Sequence, residues 1–375
     1  MTLHIKNYSF ESRMCIVAKD NCVLQEYLQK NMNTMFVEEN KVIFYPEEKS
    51  VTLSPDEYER LAKLDNGDIL ELHNNGLAYR SFANSEPDST LFLGSKCNSN
   101  CVMCPAGDSE RQKELPYGKE QILKYIEYLP DDLDILVVTG GEPTLNIELF
   151  LYSMQAVKEK FLYTPILLLT NGKTLSNTAF VRAFVEVLPN NITVAIPIHG
   201  NKAYLHDSIT RDEGSFHKTI LAIKKISFYK IPIELRIVVS NLNVDSLLDI
   251  AKLINNEIGH VKCVNFVGLE PRGNCAKNID KVYIEHKDAF VKMKSAINYL
   301  VTEGYDVGIY NFPLCSVERG YWSLCHKSIS QYKASYHEKC EECEVKKICG
   351  GFFVATIDFI KPNVDPILRK CKNNA

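Results

Sequence analysis

The sequence has nothing that would carry it into or across a membrane. No apolar run approaches the roughly 20 residues that a bilayer-spanning helix needs, and Met1–Phe10 lacks the charged-then-apolar pattern of an export signal. A basic block is also missing. Lys and Arg number 43 against 47 Asp and Glu, a net charge of −4, and phosphate binding needs a positive field, so nucleic acid is not expected as a partner. Tryptophan occurs once, and no repeat or low-complexity segment stands out. What remains is a 375-residue chain with 45% hydrophobic residues, enough for two or three domains with a buried core and expected in the cytoplasm.

Against these absences stand thirteen cysteines. A disulfide framework belongs to small exported domains, so in a large chain without an export signal the natural use of so many thiols is metal. Their clustering supports this.

Three textures divide the chain. Residues 1–86 are β-prone with one helix: Ser54-Pro55-Asp56-Glu57 is a capping box opening toward Leu64, and Asn75-Gly76 between Asp68–His73 and Leu77–Phe82 is a hairpin turn. Residues 87–304 alternate strands with amphipathic helices. The expected strands are Thr90–Leu93, Ile135–Thr139, Ile166–Thr170, Thr193–Pro197, Glu234–Val239 and Val264–Val267. The helical patterns lie around Glu120–Leu129, Asn146–Phe161, Asn177–Val187, Phe216–Phe228, Val244–Ile258 and Lys287–Thr302. Six such units imply an α/β fold with a parallel sheet, open or closed into a partial barrel, and in either case chemistry sits at the carboxyl ends of the strands. Residues 305–375 add one more strand near Asp306–Asn311 and then become loop-rich, with six cysteines and little core of their own.

Cys97, Cys101 and Cys104 fall within eight residues directly after the first strand of the alternating region. Structural zinc takes four protein ligands, whereas a 4Fe–4S cluster on three cysteines leaves one iron open. The second strand then runs into Gly140-Gly141-Glu142-Pro143, where two glycines permit close approach to the backbone and Glu142 offers a carboxylate for an ammonium.

Together, the Cys-x3-Cys-x2-Cys loop and the Gly-Gly-Glu strand end resemble the radical S-adenosylmethionine (SAM) superfamily. The resemblance implies a partial (β/α)6 TIM-like barrel, with SAM chelating the open iron through its amine and carboxylate. It implies that Gly140, Gly141 and Glu142 receive the amine, and that Asn171, Arg236 and Gly268 at later strand ends contact the cofactor. Arg236 serves equally well in a structural ion pair, and His199 reads as a satisfied structural histidine. Met103 stands where many members carry an aromatic residue, and it can pack beside the adenine.

Cys340, Cys343 and Cys349 form a Cys-x2-Cys-x5-Cys run. By resemblance to the SPASM and twitch domains that follow many peptide-modifying radical SAM barrels, they join Cys315 on an auxiliary 4Fe–4S cluster. Cys325 and Cys371 are reserve ligands, and a four-cysteine zinc site is the competing use of the same set. Cys15, Cys22, Cys263 and Cys275 read as ordinary thiols.

Several runs are similar to the HxsC-type maturases of the His-Xaa-Ser peptide system: Cys97–Cys104, Thr139–Leu145, Phe266–Gly273, Gly308–Cys315, Lys327–Gln331 and Cys340–Phe353. That family commonly has Ser-Gln-Pro-Pro after the third cysteine, where this chain has Pro105-Ala106-Gly107-Asp108. The resemblance implies a ribosomally made peptide substrate with a leader segment, a second radical SAM maturase as partner, and a flavodoxin- or ferredoxin-type electron donor. Two other readings use the same residues: a radical SAM enzyme acting on a small metabolite, and a zinc-stabilised binding protein without catalysis.

Overall fold

The computed structural model describes residues 2–8, 10–112 and 118–368. The chain opens with β1 (Thr2–His4), β2 (Arg13–Ala18), α1 (Asn21–Gln29), β3 (Thr34–Val37), β4 (Lys41–Tyr45), β5 (Lys49–Thr52), α2 (Pro55–Leu61), β6 (Ile69–Leu72) and β7 (Leu77–Phe82). Its strands make one seven-stranded sheet in the order β1-β7-β6-β2-β3-β4-β5. The capping box forms as read: the Ser54 hydroxyl accepts from Glu57 N–H, and the Glu57 carboxylate accepts from Ser54 N–H at 2.8 Å. Gly76 turns the β6–β7 hairpin at φ +80°. Helix α1 has no counterpart among the expected elements. It is short, and its start rests on Asp20, whose side chain accepts from Val23 N–H.

Side chains alternate across a strand, so β2 serves two cores. Cys15 and Val17 pack under α2 with Phe44, Leu61 and Leu70. Met14 and Ile16 face the other way, into the same core as Ile122, Tyr125 and Ile126. The leading sheet is therefore packed directly on the second part of the chain, and Asn33 N–H donates to the Tyr128 hydroxyl at 2.7 Å across that junction.

The second part runs β8 (Asp88–Phe92), α3 (Asp108–Arg111), α4 (Lys119–Tyr128), β9 (Ile135–Thr139), α5 (Ile147–Lys160), β10 (Ile166–Leu169), α6 (Thr178–Glu186), β11 (Ile192–Pro197), α7 (Ala203–Thr210), α8 (Ser215–Phe228), β12 (Ile233–Val238), α9 (Leu247–Leu253), β13 (Cys263–Val267), α10 (Gly273–Lys277), α11 (Ile279–Val282), α12 (His286–Thr302), β14 (Val307–Tyr310) and β15 (Cys325–His326). Strands β8 to β15 lie side by side in chain order, every neighbouring pair parallel, as a partial TIM-like barrel. All six expected strands are present, and the sheet continues past residue 304 through β14 and β15. The two residues of β15 carry too little pattern to be read. One face of the sheet, with Leu136, Val138, Leu168, Val194, Leu235, Ile237 and Phe266, is buried under the helices. The opposite, inner face carries polar groups, Glu234 and Arg236 among them.

Beyond β15 the chain consists of short turns and one antiparallel pair, β16 (Ala334–Ser335) with β17 (Phe352–Phe353). Its core is small: Cys340, Phe352 and Val364 are buried, with Cys315, Tyr336 and Ile357 around them. No helix among the described residues is long and apolar enough to cross a membrane.

Candidate active site

The loop carrying Cys97, Cys101 and Cys104 leaves the carboxyl end of β8 and lies against the end of β9. Gly141 N–H donates to Gly94 C=O at 2.7 Å, and Glu142 N–H donates to Lys96 C=O at 2.8 Å. A Cβ on Gly140 would lie 2.5 Å from the Gly94 oxygen, and one on Gly141 would lie 2.1 Å from the Ser95 oxygen, separations that real Cβ atoms do not tolerate. On the side where a Cβ would stand, the close approach that these glycines permit is made by the cysteine loop itself.

Glu142 is buried, with its carboxylate engaged on several sides. Oε1 accepts from Thr144 N–H (3.1 Å), Thr144 Oγ1 (2.6 Å) and Thr170 Oγ1 (2.6 Å), and Oε2 accepts from Asn171 N–H (2.7 Å). It ties the ends of β9 and β10 together. Among the described residues, Oε2 has a single donor against three on Oε1 and keeps a lone pair for an incoming donor. Asn171 reaches back to the cysteine loop: its Nδ2 donates to Asn98 Oδ1 at 2.8 Å and lies 3.9 Å from Cys97 Sγ. Gly268 is packed against β14, where a Cβ would meet Asn311 O at 2.6 Å. Arg236 pairs with Glu234 two residues earlier on the same face of β12. The six expected cofactor contacts therefore all carry structural duties in the protein alone.

Several residues that hold the cysteine loop carry no sequence signal. Lys173 Nζ donates to Asn98 C=O at 2.6 Å and pairs with Asp212, to which Ser99 Oγ also donates. Arg111 Nη1 donates to Ser99 C=O at 2.7 Å. From α10 and its end, Asn274 Nδ2 donates to Asn100 Oδ1 at 2.7 Å, Asn278 Nδ2 to Val102 C=O at 3.3 Å, and Cys275 N–H to Cys104 C=O at 3.0 Å. Cys275 is thus no bystander in position, since its buried backbone anchors the third cysteine. These contacts join residues up to 176 apart in sequence, and only the folded sheet brings them together.

Burial and then the neighbouring thiols of Cys104 and Cys97 push the Cys101 thiol up to about 12, and burial raises that of Cys97. Metals bind thiolates, so these sulfurs ionise when a cation is there to compensate. Ser99 N–H already points at Cys97 Sγ, at 3.4 Å. Soft sulfur donors of this kind suit iron–sulfur chemistry. Among the described residues, no three His, Cys, Asp or Glu side chains are grouped tightly enough to hold a single metal ion.

The second set behaves alike. Burial first, and then the thiols of Cys349, Cys340 and Cys343, push the Cys315 thiol up to about 12, so these three lie within electrostatic reach of it. Cys349 Sγ accepts from Leu314 N–H and Gly351 N–H, each at 3.4 Å. Cys325 stands beside the set. Burial carries its thiol to about 11, with Cys349 as the one member that adds to this. Cys371 lies outside the described residues.

His199, at the end of β11, is buried as expected but not satisfied, for its Nδ1 has no hydrogen-bond partner. Its ring lies 5.4 Å from that of His206, whose Nδ1 accepts from His199 N–H at 3.3 Å.

The family model of the radical SAM superfamily matches residues 91–254, from β8 through α9, and so includes all three cysteines of the first loop and the Gly140-Gly141-Glu142 turn. This part of the chain is a radical SAM domain. The sporulation killing factor maturation protein SkfB of Bacillus subtilis is similar, 25% identical over 169 residues, which is 44% of this chain and 39% of that protein. The chain spans less than half the length of the curated relatives it matches. Among solved structures, Streptococcus suis SuiB bound to its precursor peptide SuiA shares the fold, with a TM-score of 0.52 at 13% identity over 67% of this chain and 53% of that one. Past the end of the match, the same parallel sheet continues through β13, β14 and β15.

Proposed function

We propose that the protein is a radical SAM enzyme that modifies a ribosomally synthesised peptide. One observation carries the class: the three-cysteine loop is hydrogen-bonded to the Gly140-Gly141-Glu142 turn at adjoining strand ends, inside the segment that matches the superfamily. On this reading, Cys97, Cys101 and Cys104 hold a 4Fe–4S cluster, and Cys315, Cys340, Cys343 and Cys349 hold an auxiliary one. When bound, the cluster and SAM would supply reductive cleavage to a 5′-deoxyadenosyl radical able to take a hydrogen atom from the substrate. The chain's own part is to fix three thiols at the barrel mouth through Lys173, Arg111, Asn274 and Asn278. Oε2 of Glu142, which among the described residues accepts only from Asn171 N–H, offers an acceptor for the cofactor's amine.

The peptide substrate is supported by the second cysteine set and by the likeness to SkfB, whose name makes it a maturation protein. Within peptide maturation, the runs similar to HxsC-type enzymes favour a His-Xaa-Ser peptide, a second radical SAM maturase as partner, and a small flavin or iron–sulfur protein as electron donor. The leading sheet offers its outer strand β5, with Lys49, Ser50 and Thr52 exposed, for a leader segment added as a further strand.

Anaerobic purification with iron and sulfide analysis, followed by assay of 5′-deoxyadenosine, tests the class. Colourless protein carrying zinc and no iron would sink it in favour of a binding protein. A deuterated candidate peptide tests the substrate, because label should pass into 5′-deoxyadenosine. Transfer from a small metabolite and from no peptide would select the other enzymatic reading.

A further inference from the structure

His286 opens α12 and is buried, with Nδ1 making no hydrogen bond in the protein. A buried donor or acceptor left unmade costs about 1–3 kcal/mol, so such a group calls for a partner. The ring is held between two phenylalanines, edge-on to Phe312 at 5.3 Å and to Phe352 at 5.5 Å, and cannot swing out to find one. It lines a small cavity with Pro313, Cys315, Ser316 and Phe352. Of the carboxylates on that cavity, Asp365 is paired with Lys287 at 3.2 Å and Glu285 is engaged by the Tyr283 hydroxyl. The thiols also differ. Cys349 receives two backbone N–H donors, and Cys315 lines the same small cavity as the unpartnered imidazole.

We propose that His286 is a positioning residue of the second cysteine site, donating Nδ1–H to the sulfur of Cys315 when that sulfur is a cluster ligand, and thereby raising the cluster's reduction potential. The inference rests on the assignment of Cys315, Cys340, Cys343 and Cys349 to an auxiliary cluster. Hydrogen bonds to sulfur spread the extra negative charge of the reduced state, one of the ways a protein sets such a potential.

The test is redox titration of the full chain, followed by electron paramagnetic resonance, in a Cys97/Cys101/Cys104→Ala background so that the signal belongs to the second cluster. His286→Phe keeps a planar ring between Phe312 and Phe352 but removes the donor. It should retain iron and lower the reduced fraction roughly tenfold at a fixed poise, about 59 mV for a one-electron couple. His286→Asn, which keeps an N–H, should fall between that variant and the parent. An unchanged potential in an iron-replete Phe variant, or equal shifts in both variants, overturns the proposal. If the Phe variant does not fold, the parent labelled with 15N-histidine decides. A weak 15N coupling to the reduced cluster is expected. No coupling, or one as large as direct ligation gives, overturns it. A parent without any second-cluster signal but with intact 5′-deoxyadenosine formation in the unmutated enzyme overturns the auxiliary assignment, which is a different failure.

Discussion

The two cysteine sites sit at opposite ends of one sheet and are supported differently. The first loop lies on a finished scaffold: backbone bonds from β9, an ion pair from Lys173 to Asp212, and asparagines from α10 reach it before any metal enters. The second set has a small apolar cluster, in which Cys340 itself packs with Phe352 and Val364, joined by short turns and a two-residue strand pair. In the first site the fold places the ligands. In the second the ligands make up much of the fold. Metal binding should therefore be folding energy for residues beyond β15 and should contribute little to the barrel.

Removing ligands is the strongest way to break this contrast. Cys97→Ala, Cys101→Ala or Cys104→Ala should abolish 5′-deoxyadenosine formation while leaving the melting transition of the protein nearly in place. Iron removal should instead loosen residues 327–368. In limited proteolysis of the metal-free protein, early cuts should fall there and spare β8–β14, and even cutting over both regions would refute the asymmetry. Gly141→Ala comes next, since its Cβ would meet Ser95 O at 2.1 Å and Lys96 O at 2.5 Å. We expect a loss of at least about tenfold in cleavage and a destabilisation of about 1–3 kcal/mol. Gly320→Ala, where a Cβ meets nothing, should stay within about 0.5 kcal/mol. Lys173→Met should cost less than Gly141→Ala in cleavage but still several-fold, because Asp212 loses its partner and Asn98 C=O its donor. Iron content and circular dichroism would separate a misplaced loop from a misfolded one.

How much a sequence can show depends on the range of each signal. The barrel strands announce themselves locally, by apolar runs that end at chemistry, and the two cysteine clusters by spacing. The capping box at Ser54 and the turn at Gly76 are equally local. The reason for Gly140 and Gly141 is not local. The glycines are legible as sites of close approach, but what approaches is the backbone of Gly94–Lys96, some 45 residues earlier. Glu142 is legible as a carboxylate in the right place, not as a staple already holding Thr144, Thr170 and Asn171. Lys173, Asp212, Asn274 and Asn278 are common polar residues in loops and helix ends, and nothing in their neighbourhood marks them as the clasp of a loop more than 70 residues away. The same range limit applies to β15, whose place beside β14 depends on the sheet and not on its two residues.

The smallest expected effect concerns acid, and it bears on the barrel half of the contrast. Burial holds His206 down to about 4 from an ordinary 6.5, and His199, fully enclosed, is also lowered by burial and then by His206. A depressed histidine is neutral in the folded protein while the unfolded chain takes up the proton. Stability from this source is therefore complete above about pH 6.5 and is lost as pH falls from there toward 4. The slope is about 1.4 kcal/mol per pH unit for each histidine that stays neutral on folding. His206 also accepts the His199 N–H through Nδ1, which protonation would end. His206→Gln should lower stability at pH 7.5 but flatten its fall between pH 6.5 and 5, measured by urea unfolding at each pH. If the parent and the variant lose stability in parallel, the acid sensitivity of the barrel comes from elsewhere, and the buried histidine pair behind β11 is not what limits it.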